Sequence, residues 1–396
     1  MFHTPMFKTN NDRFVRTISD SDKDLYHSQL TGTETKKERE LYDRITNSTL
    51  ESFFPEKYGN TPSPSNRPID EKQLIRVHRA YKILDAADVI DDYYLNCLDV
   101  NPRNQIAVAL NGTCYICEFD TSDISEITSS DIEDQYICSV SYRTKLAIGY
   151  SNGSVRIISP QTDQVTDSIK LTGLRVPSIT WRDENTFFFG DKGGNIFMKD
   201  VRSSHFLQTS FLTSEIPSIK ISHDLYKMAV GSNQNAMAIW DIRRGFTPDP
   251  MIVKDDFTSC IKALDWCPWN DRLLLLGAGT LDKRINILNI QTEEYEQSIN
   301  TGNQVTSVKW HEESRKIIAT CGYQDNCILY LDTRLNPIYK LEINGRILCS
   351  AFNHRETKMV TLSSNEKLCF WNIYKDTSIK TRNVKIYEIG NSLTIR

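Results

Sequence analysis

The hydrophobic positions of this chain follow one pattern in seven successive copies. In each copy a polar turn with Gly or Asn leads into a short apolar strand that ends on an acidic or small polar residue. Successive endings lie 41, 41, 41, 48, 43 and 40 residues apart, and this period is typical of propeller blades. The seven endings are Glu118, Ser159, Asp200, Asp241, Asn289, Asp332 and Asn372.

A second short strand is predicted upstream of each ending. In Ile261–Trp266 and Val305–Trp310 apolar and polar residues roughly alternate, which indicates strands and not helices. The endings Met237–Asp241 and Leu368–Asn372 read as the Trp-Asp end of a WD repeat. Such units cannot bury their faces alone, whereas a closed ring leaves only short strand edges. The predicted fold is therefore all-β, a seven-bladed WD-repeat β-propeller whose first and last repeats meet.

Composition places the chain among soluble intracellular proteins. Its 396 residues are 39% hydrophobic and 25% charged, with a net charge of -4, so neither nucleic acid nor a membrane is the expected partner. The start of the chain lacks the charged and apolar regions of a signal peptide. Ten dispersed cysteines fit free thiols in a reducing compartment. We expect localisation in the nucleus and cytoplasm.

Three segments are expected from the distribution of polar residues. Residues 1–79 form a flexible N-terminal region, because their Ser-, Thr-, Asp- and Lys-rich stretches cannot bury enough apolar area to offset the entropy of ordering. Residues 80–375 form the propeller, and residues 376–396 form a C-terminal tail. Thr61 and Ser63 each precede a proline. This tract is either a site of proline-directed phosphorylation or a plain flexible linker.

Signatures of catalysis and metal binding are weak. Cys114 and Cys117 have the two-residue gap of a zinc site, but an odd separation within a strand places their side chains on opposite faces. The glycine-rich stretch Gly190–Gly194 lacks the Gly-Lys-Ser/Thr end of a phosphate-binding loop and is predicted to be a turn. No catalytic triad or carboxylate pair stands out. We expect no enzyme activity, no metal and no cofactor.

Short motifs along the propeller carry a more specific resemblance. In order, they are Tyr81–Ala86, Asp91–Asn96, Leu98–Asp99, Trp266–Trp269, Gly277–Ile287, Thr301–Val305, Gly322–Asn326 and Arg346–Leu348. Their shared order resembles the Fizzy and Fizzy-related proteins, the WD-repeat activators of the anaphase-promoting complex/cyclosome. The resemblance covers residues 81 to 374, although the stretch from 174 to 203 matches only the general repeat.

This resemblance implies a substrate adaptor that activates a ubiquitin ligase. Such a protein binds destruction-box and Lys-Glu-Asn (KEN) degrons and promotes degradation of cell-cycle proteins. The implied partners are subunits of the anaphase-promoting complex, degron-bearing substrates such as cyclins or securin, and checkpoint inhibitors. Divergence from the family pattern suggests a specialised member, for example a meiotic one. The alternative function is that of a WD-repeat scaffold in an RNA or chromatin complex.

The resemblance also assigns site residues on the propeller. It places the arginine of a destruction box against two acids, Asp99 and Glu366. A charge-assisted hydrogen bond from a guanidinium to such a carboxylate is worth about 1.5 to 3 kcal/mol. It places the KEN degron against amides, a hydroxyl and a guanidinium, all in turns or connections: Asn233, Asn235, Thr280, Gln304 and Arg346.

Both ends of the chain carry candidate ligase-docking motifs. Asp12, Arg13, Phe14 and Val15 resemble the family's C-box, with Arg16 where proline is usual. Ile395 and Arg396 resemble its Ile-Arg tail. A terminal arginine offers a guanidinium fork beside its own carboxylate, and isoleucine offers an apolar anchor. The adaptor and the scaffold differ at these ends, because only the adaptor requires them for ligase association.

Overall fold

The structure is a computed structural model that describes residues 79–121, 123–129, 135–170, 173–243 and 245–374, and the backbone of residues 393–394. Several residues singled out above lie outside the described residues: Asp12, Arg13, Phe14, Val15, Thr61, Ser63, Ile395 and Arg396.

The described chain folds into strands that form seven sheets, each built from an antiparallel run of four strands. It begins with β1 (Lys82–Asp85). Blade 1 holds β2 (Leu98–Val100), β3 (Gln105–Leu110), β4 (Thr113–Glu118) and β5 (Ile124–Ser129). Blade 2 holds β6 (Ile137–Tyr142), β7 (Leu146–Tyr150), β8 (Ser154–Ser159) and β9 (Gln164–Lys170). Blade 3 holds β10 (Ser178–Trp181), β11 (Thr186–Gly190), β12 (Ile196–Asp200) and β13 (Phe206–Thr209).

The remaining blades repeat this order. Blade 4 holds β14 (Ser218–Ile221), β15 (Lys227–Ser232), β16 (Ala236–Asp241) and β17 (Ile252–Lys254). Blade 5 holds β18 (Ile261–Trp266), β19 (Leu273–Ala278), β20 (Arg284–Asn289) and β21 (Glu294–Asn300). Blade 6 holds β22 (Gln304–His311), β23 (Lys316–Gly322), β24 (Cys327–Leu331) and β25 (Pro337–Glu342). Blade 7 holds β26 (Ile347–Phe352), β27 (Lys358–Ser363), β28 (Lys367–Asn372) and also β1.

The seven sheets close into a ring. The first strand of each blade contacts the first strand of the next, and β2 contacts β26. Strand β1 pairs antiparallel with β28, so residues from before blade 1 supply the fourth strand of blade 7. A short strand near the C-terminus, β29 (Leu393–Thr394), pairs in parallel with β1. These findings confirm the predicted all-β, seven-bladed propeller.

Every blade has one residue with a left-handed backbone in the turn between its second and third strands. These residues are Asn111, Gly153, Gly194, Asn235, Lys283, Tyr323 and Glu366, with φ between 49° and 88°. Glycine and asparagine adopt this conformation at the lowest steric cost. The geometry therefore explains the Gly or Asn in four of the seven turns, whereas Lys283, Tyr323 and Glu366 adopt the same conformation at a higher steric cost.

Four blades share a β-bulge near the start of the first strand. The register shifts between Ile137 and Ser139, Ile261 and Ala263, Val305 and Ser307, and Ile347 and Cys349. A bulge leaves one residue outside the ladder. The residues set free in this way are Cys138, Lys262, Thr306 and Leu348. They also interrupt the strict alternation of apolar and polar residues in these strands.

Candidate functional site

The first strands of all seven blades surround a central cavity of about 280 Å³. We call the face of the propeller that carries the turns between second and third strands the upper face. The connections that lead into each blade lie on the same face. The first and second strands of a blade pair antiparallel, so the start of the first strand lies beside the end of the second. All the residues predicted to bind a KEN degron lie on these turns and connections or at the first position of a strand.

One segment, Asp91–Asn96, lies across the upper end of the cavity, and we call it the closing segment. It belongs to the connection between β1 and β2. The backbone of Asn96 pairs with blade 2 through Cys138 and Val140, and its side-chain amide donates to the carbonyls of Pro177 and Pro217 at 2.8 and 2.7 Å. The closing segment thereby joins blades 2, 3 and 4 near the axis of the ring.

The tyrosines of the closing segment reach the other side of the ring. Tyr93 Oη donates to the carbonyl of Val305 at 2.9 Å, and Tyr94 Oη donates to Asn233 Oδ1 at 2.9 Å. The two rings pack edge to face with their centroids 5.5 Å apart. Both side chains are buried. Two hydroxyls therefore connect the segment to blades 4 and 6.

The bulges described above supply further partners of the closing segment. Bulged Lys262 is 4% exposed, and its Nζ donates to the carbonyls of Leu95 and of bulged Leu348, both at 2.9 Å. The ammonium also lies 5.2 Å from the centre of the Tyr93 ring. The carbonyl of bulged Cys138 accepts from the amide of Asn96 at 3.0 Å. Groups freed from the strand ladders thus hold the segment in place.

Three of the predicted KEN-binding residues adjoin this segment. Asn233 accepts the bond from Tyr94, and Gln304 immediately precedes Val305. Arg346 Nη1 lies 3.6 Å from Asp91 Oδ1. Gln304 Oε1 and Arg346 Nε are buried without a hydrogen-bond partner among the described residues. One amide acceptor and one guanidinium donor are therefore buried and unpaired at the upper end of the cavity.

The other two predicted KEN-binding residues lie in the neighbouring turns. Asn235 has a φ of 63° in the turn that also carries Asn233, between β15 and β16. Thr280 lies between β19 and β20 and is half-buried. All five residues therefore lie on one face, on blades 4 to 7 or in the turns and connections beside them.

The two acids that were predicted to bind a destruction box have different surroundings. Asp99 lines the central cavity, and its carboxylate accepts from the amides of Val100 at 2.9 Å and Tyr142 at 2.8 Å. Burial raises the pKa of this carboxyl. Glu366 is exposed in the turn between β27 and β28. Among the described contacts, none joins Asp99 to Glu366.

The acid that lies beside Glu366 is Asp85. The amide of Ala86 donates to the carbonyl of Glu366 at 2.8 Å, and Asp85 is opposite Lys367 in the β1–β28 pair. The side chains of Asp85 and Lys367 form an ion pair, which raises the pKa of Lys367. Asp85 is not among the predicted site residues, because Tyr81–Ala86 enters the resemblance only as a family motif. The signal in the sequence was an acid directly after the apolar pair Ile83 and Leu84.

Cys114 and Cys117 lie within β4 and are buried. Burial raises the pKa of Cys114 to about 12 and that of Cys117 to about 11, so both are neutral thiols. Within the described ranges, no group of three or more His, Cys, Asp or Glu residues is placed to hold a metal ion. Likewise, the described part has no helix long and apolar enough for a membrane span. The stretch Gly190–Gly194 leads from β11 into a turn before β12, as predicted.

Comparison with known proteins distinguishes between the two predicted functions, a ligase adaptor and an unrelated WD-repeat scaffold. Residues 84–371 match the model of the CDC20/Fizzy WD40 domain, which is more than half of the chain. The chain belongs to the CDC20/Fizzy family. This membership confirms the resemblance seen in the sequence motifs. It also makes the function of an unrelated WD-repeat scaffold the less favoured one.

Individual CDC20/Fizzy relatives align over most of the chain. The anaphase-promoting complex subunit cdc20 of Dictyostelium discoideum is 27% identical over 97% of this chain and 78% of that protein. The WD repeat-containing protein slp1 of Schizosaccharomyces pombe is 32% identical over 80% and 65% of the two chains. The APC/C activator protein CDC20 of Saccharomyces cerevisiae is 31% identical over 74% of this chain and 50% of its own length.

A solved structure is similar to this chain in fold and sequence. A chain in the crystal structure of the mitotic checkpoint complex superposes with a TM-score of 0.73 at 28% identity, covering 81% of this chain and 99% of that one. The similarity therefore extends over the ring and beyond single blades.

Proposed function

We propose that this chain is a non-catalytic activator of the anaphase-promoting complex that recognises degrons on the upper face of its propeller. The observation that carries the proposal is the arrangement of Asn233, Gln304 and Arg346 around the closing segment in a CDC20/Fizzy protein. Relatives named as an anaphase-promoting complex subunit and as an APC/C activator support the choice of ligase. Ubiquitin transfer itself belongs to the ligase and its enzymes.

The free groups on the upper face suit a Lys-Glu-Asn peptide. Arg346 presents an unpaired Nε and lies beside an acid 3.6 Å away, which a bound glutamate carboxylate would replace as its partner. The Gln304 amide oxygen can accept from a lysine or asparagine of the peptide. Asn235 and Thr280 add an amide and a hydroxyl at the rim. The neighbouring buried tyrosines supply a rigid floor.

The destruction-box site is proposed for the seam of blades 1 and 7. Glu366 and Asp85 lie together at this seam, and two carboxylates suit the arginine of such a peptide. Asp99 stays a predicted member of the site, but its carboxylate is bonded to blade 2. The geometry therefore favours Asp85 as the partner of Glu366. Lys367, which is already paired with Asp85, would be displaced by the arginine.

The remaining assignments rest on motifs outside the described residues. Asp12, Arg13, Phe14 and Val15 are proposed to dock on the ligase together with Ile395 and Arg396. Phosphorylation of Thr61 or Ser63 is proposed to weaken that docking through the added negative charge. The segment limits 1–79, 80–375 and 376–396, and localisation in the nucleus and cytoplasm, belong to the same proposal. Checkpoint inhibitors are proposed as further partners, given the mitotic checkpoint complex as structural relative.

Affinity purification of the full chain from dividing cells tests the proposal. The intact chain should carry subunits of the anaphase-promoting complex, and a variant with Arg13→Ala and without Ile395–Arg396 should lose them. Glu366→Gln should keep the ligase subunits, because it changes the propeller and not the tails. If the double variant retained the subunits, or if the intact chain never acquired them, the activator function would be refuted.

A further inference from the structure

Five residues on the upper face form a closed circuit of hydrogen bonds. Arg175 Nη1 donates to Asp92 Oδ2 at 2.6 Å, and Arg175 Nε donates to Glu215 Oε1 at 2.5 Å. The carbonyl of Glu215 accepts from the amide of Asn233 at 2.9 Å. The circuit closes through Tyr94, which donates from its hydroxyl to Asn233 Oδ1 and from its amide to Asp92 Oδ1, both at 2.9 Å.

Two members of this circuit have no other assigned role. The side chains of Arg175 and Glu215 are 7% and 2% exposed, which is unusual for charged residues unless they are paired. They occupy equivalent places in consecutive blades, in the connections that lead into β10 and β14. The two partners raise the pKa of Arg175 further despite its burial, so the guanidinium stays charged.

The circuit determines how the Asn233 amide is presented. Because Tyr94 occupies Asn233 Oδ1, the amide nitrogen is left to donate to a ligand. The backbone of the same residue is tied to Glu215, and the closing segment is tied to Arg175 through Asp92. Arg175 thus links the two sides of the site, the Asn233 turn of blade 4 and the closing segment. Without this link, the hydrogen bond from Tyr94 to Asn233 would alone connect the two sides of the circuit.

We propose that Arg175 and Glu215 are positioning residues for KEN recognition, holding Asn233 and the closing segment in the geometry that binds the peptide. The inference rests on the proposed function of the upper face. It assigns neither residue a contact with the peptide, and it gives the buried ion pair a role beyond stability.

The decisive variant removes the charges of Arg175 and Glu215 together, so that neither charge is left buried without its partner. Arg175→Met alone would strand a buried carboxylate, whereas Arg175→Met with Glu215→Leu replaces the pair by apolar groups, a change that many proteins tolerate. Binding of fluorescent KEN and destruction-box peptides to the full chain is measured by anisotropy, and folding by thermal melting. We expect the double variant to bind the KEN peptide about tenfold or more weakly. The destruction-box peptide should bind within about twofold of its normal affinity, because its seam lies on other blades.

Two further variants separate positioning from stability. Glu215→Gln keeps an acceptor for Arg175 and should retain KEN binding within about threefold, whereas Arg175→Lys cannot bridge both acids as a fork and should lose about fivefold or more. Asn233→Ala should weaken KEN binding in the intact chain but add less than about twofold in the double variant, because the amide is already out of place.

The outcomes distinguish the inference from the proposed function. If the unmodified chain bound neither peptide, the proposed function itself would fail. If it bound the KEN peptide and the folded double variant bound equally well, the positioning role would be overturned. Equal losses for both peptides would also overturn it, since they indicate general destabilisation. Should the double variant not fold, the comparison of Arg175→Lys with Glu215→Gln decides, and equal binding by those two variants contradicts the inference.

Discussion

Lys262 is predicted to be the main stabilising contact between the closing segment and the ring. Its ammonium is almost fully buried and donates to the carbonyls of Leu95 and Leu348 at 2.9 Å. Leu348 is the bulged residue of β26, so its carbonyl has left the strand ladder. Lys262→Met keeps most of the apolar stem and removes the charged group of the side chain, the ammonium. The substitution therefore isolates the effect of these two hydrogen bonds.

The expected loss of stability follows from the partners left behind. A buried carbonyl without a donor costs about 1 to 3 kcal/mol. Leu95 also accepts from Cys349 Sγ at 3.3 Å, so its cost lies at the lower end of that range. The lost attraction to the Tyr93 ring adds about 0.5 to 1 kcal/mol, and relief from burying a charge offsets part of the sum. We expect the free energy of unfolding to fall by about 2 to 4 kcal/mol.

Urea unfolding of the full chain, followed by tryptophan fluorescence, measures this loss. Lys220→Met is the matched control, because Lys220 lines the same cavity but is exposed. Its effect should stay within about 0.5 kcal/mol. Equal effects of the two substitutions would refute the account of the closing segment. A Lys262→Met variant as stable as the unmodified chain would do the same.

Two further predictions concern packing and pH. A Cβ on Gly231 would lie 2.0 Å from the carbonyl oxygen of Ile261, so Gly231→Ala should lower the urea midpoint far more than Gly279→Ala, whose nearest contact is 3.1 Å away. Similar midpoints would contradict the close approach of blades 4 and 5. Burial lowers the pKa of His311, whose Nδ1 accepts from the amide of Ser314 at 3.0 Å. The unfolded chain therefore takes up the proton first, so stability should fall as the pH drops below about 6.5. His311→Gln should flatten that dependence in urea unfolding between pH 7.5 and 5.5, and an unchanged slope would contradict it.

The repeat frame could be predicted from sequence because it depends on short-range features. Six of the seven predicted endings coincide with the last residues of third strands, from Glu118 in β4 to Asn372 in β28. The exception is Asp332, because β24 ends one residue earlier, at Leu331. Each ending is set by a local apolar run and by a turn that needs a left-handed residue. Neighbouring residues carry that information.

The composition of the sites could not be predicted in the same way. The pairing of β1 with β28 joins Asp85 to the neighbourhood of Glu366 across almost the whole propeller sequence, and no periodicity reveals it. The bulge that frees Lys262 depends on a register shift in the folded sheet. The circuit through Arg175 needs blades 3 and 4 and the closing segment to be in place. The residues predicted to bind a KEN degron come from family resemblance, which carries information that the local pattern does not.

Reconstituted ubiquitin transfer tests the central claim most directly. Purified anaphase-promoting complex is supplied with ubiquitin, its activating and conjugating enzymes and a KEN-bearing substrate, with or without the full chain. Addition of the chain should stimulate ubiquitination of this substrate, and both mutation of the KEN residues to alanine and Arg346→Glu in the chain should remove most of the stimulation. A chain that gives no stimulation, or equal stimulation of the substrate that lacks a degron, would contradict the account.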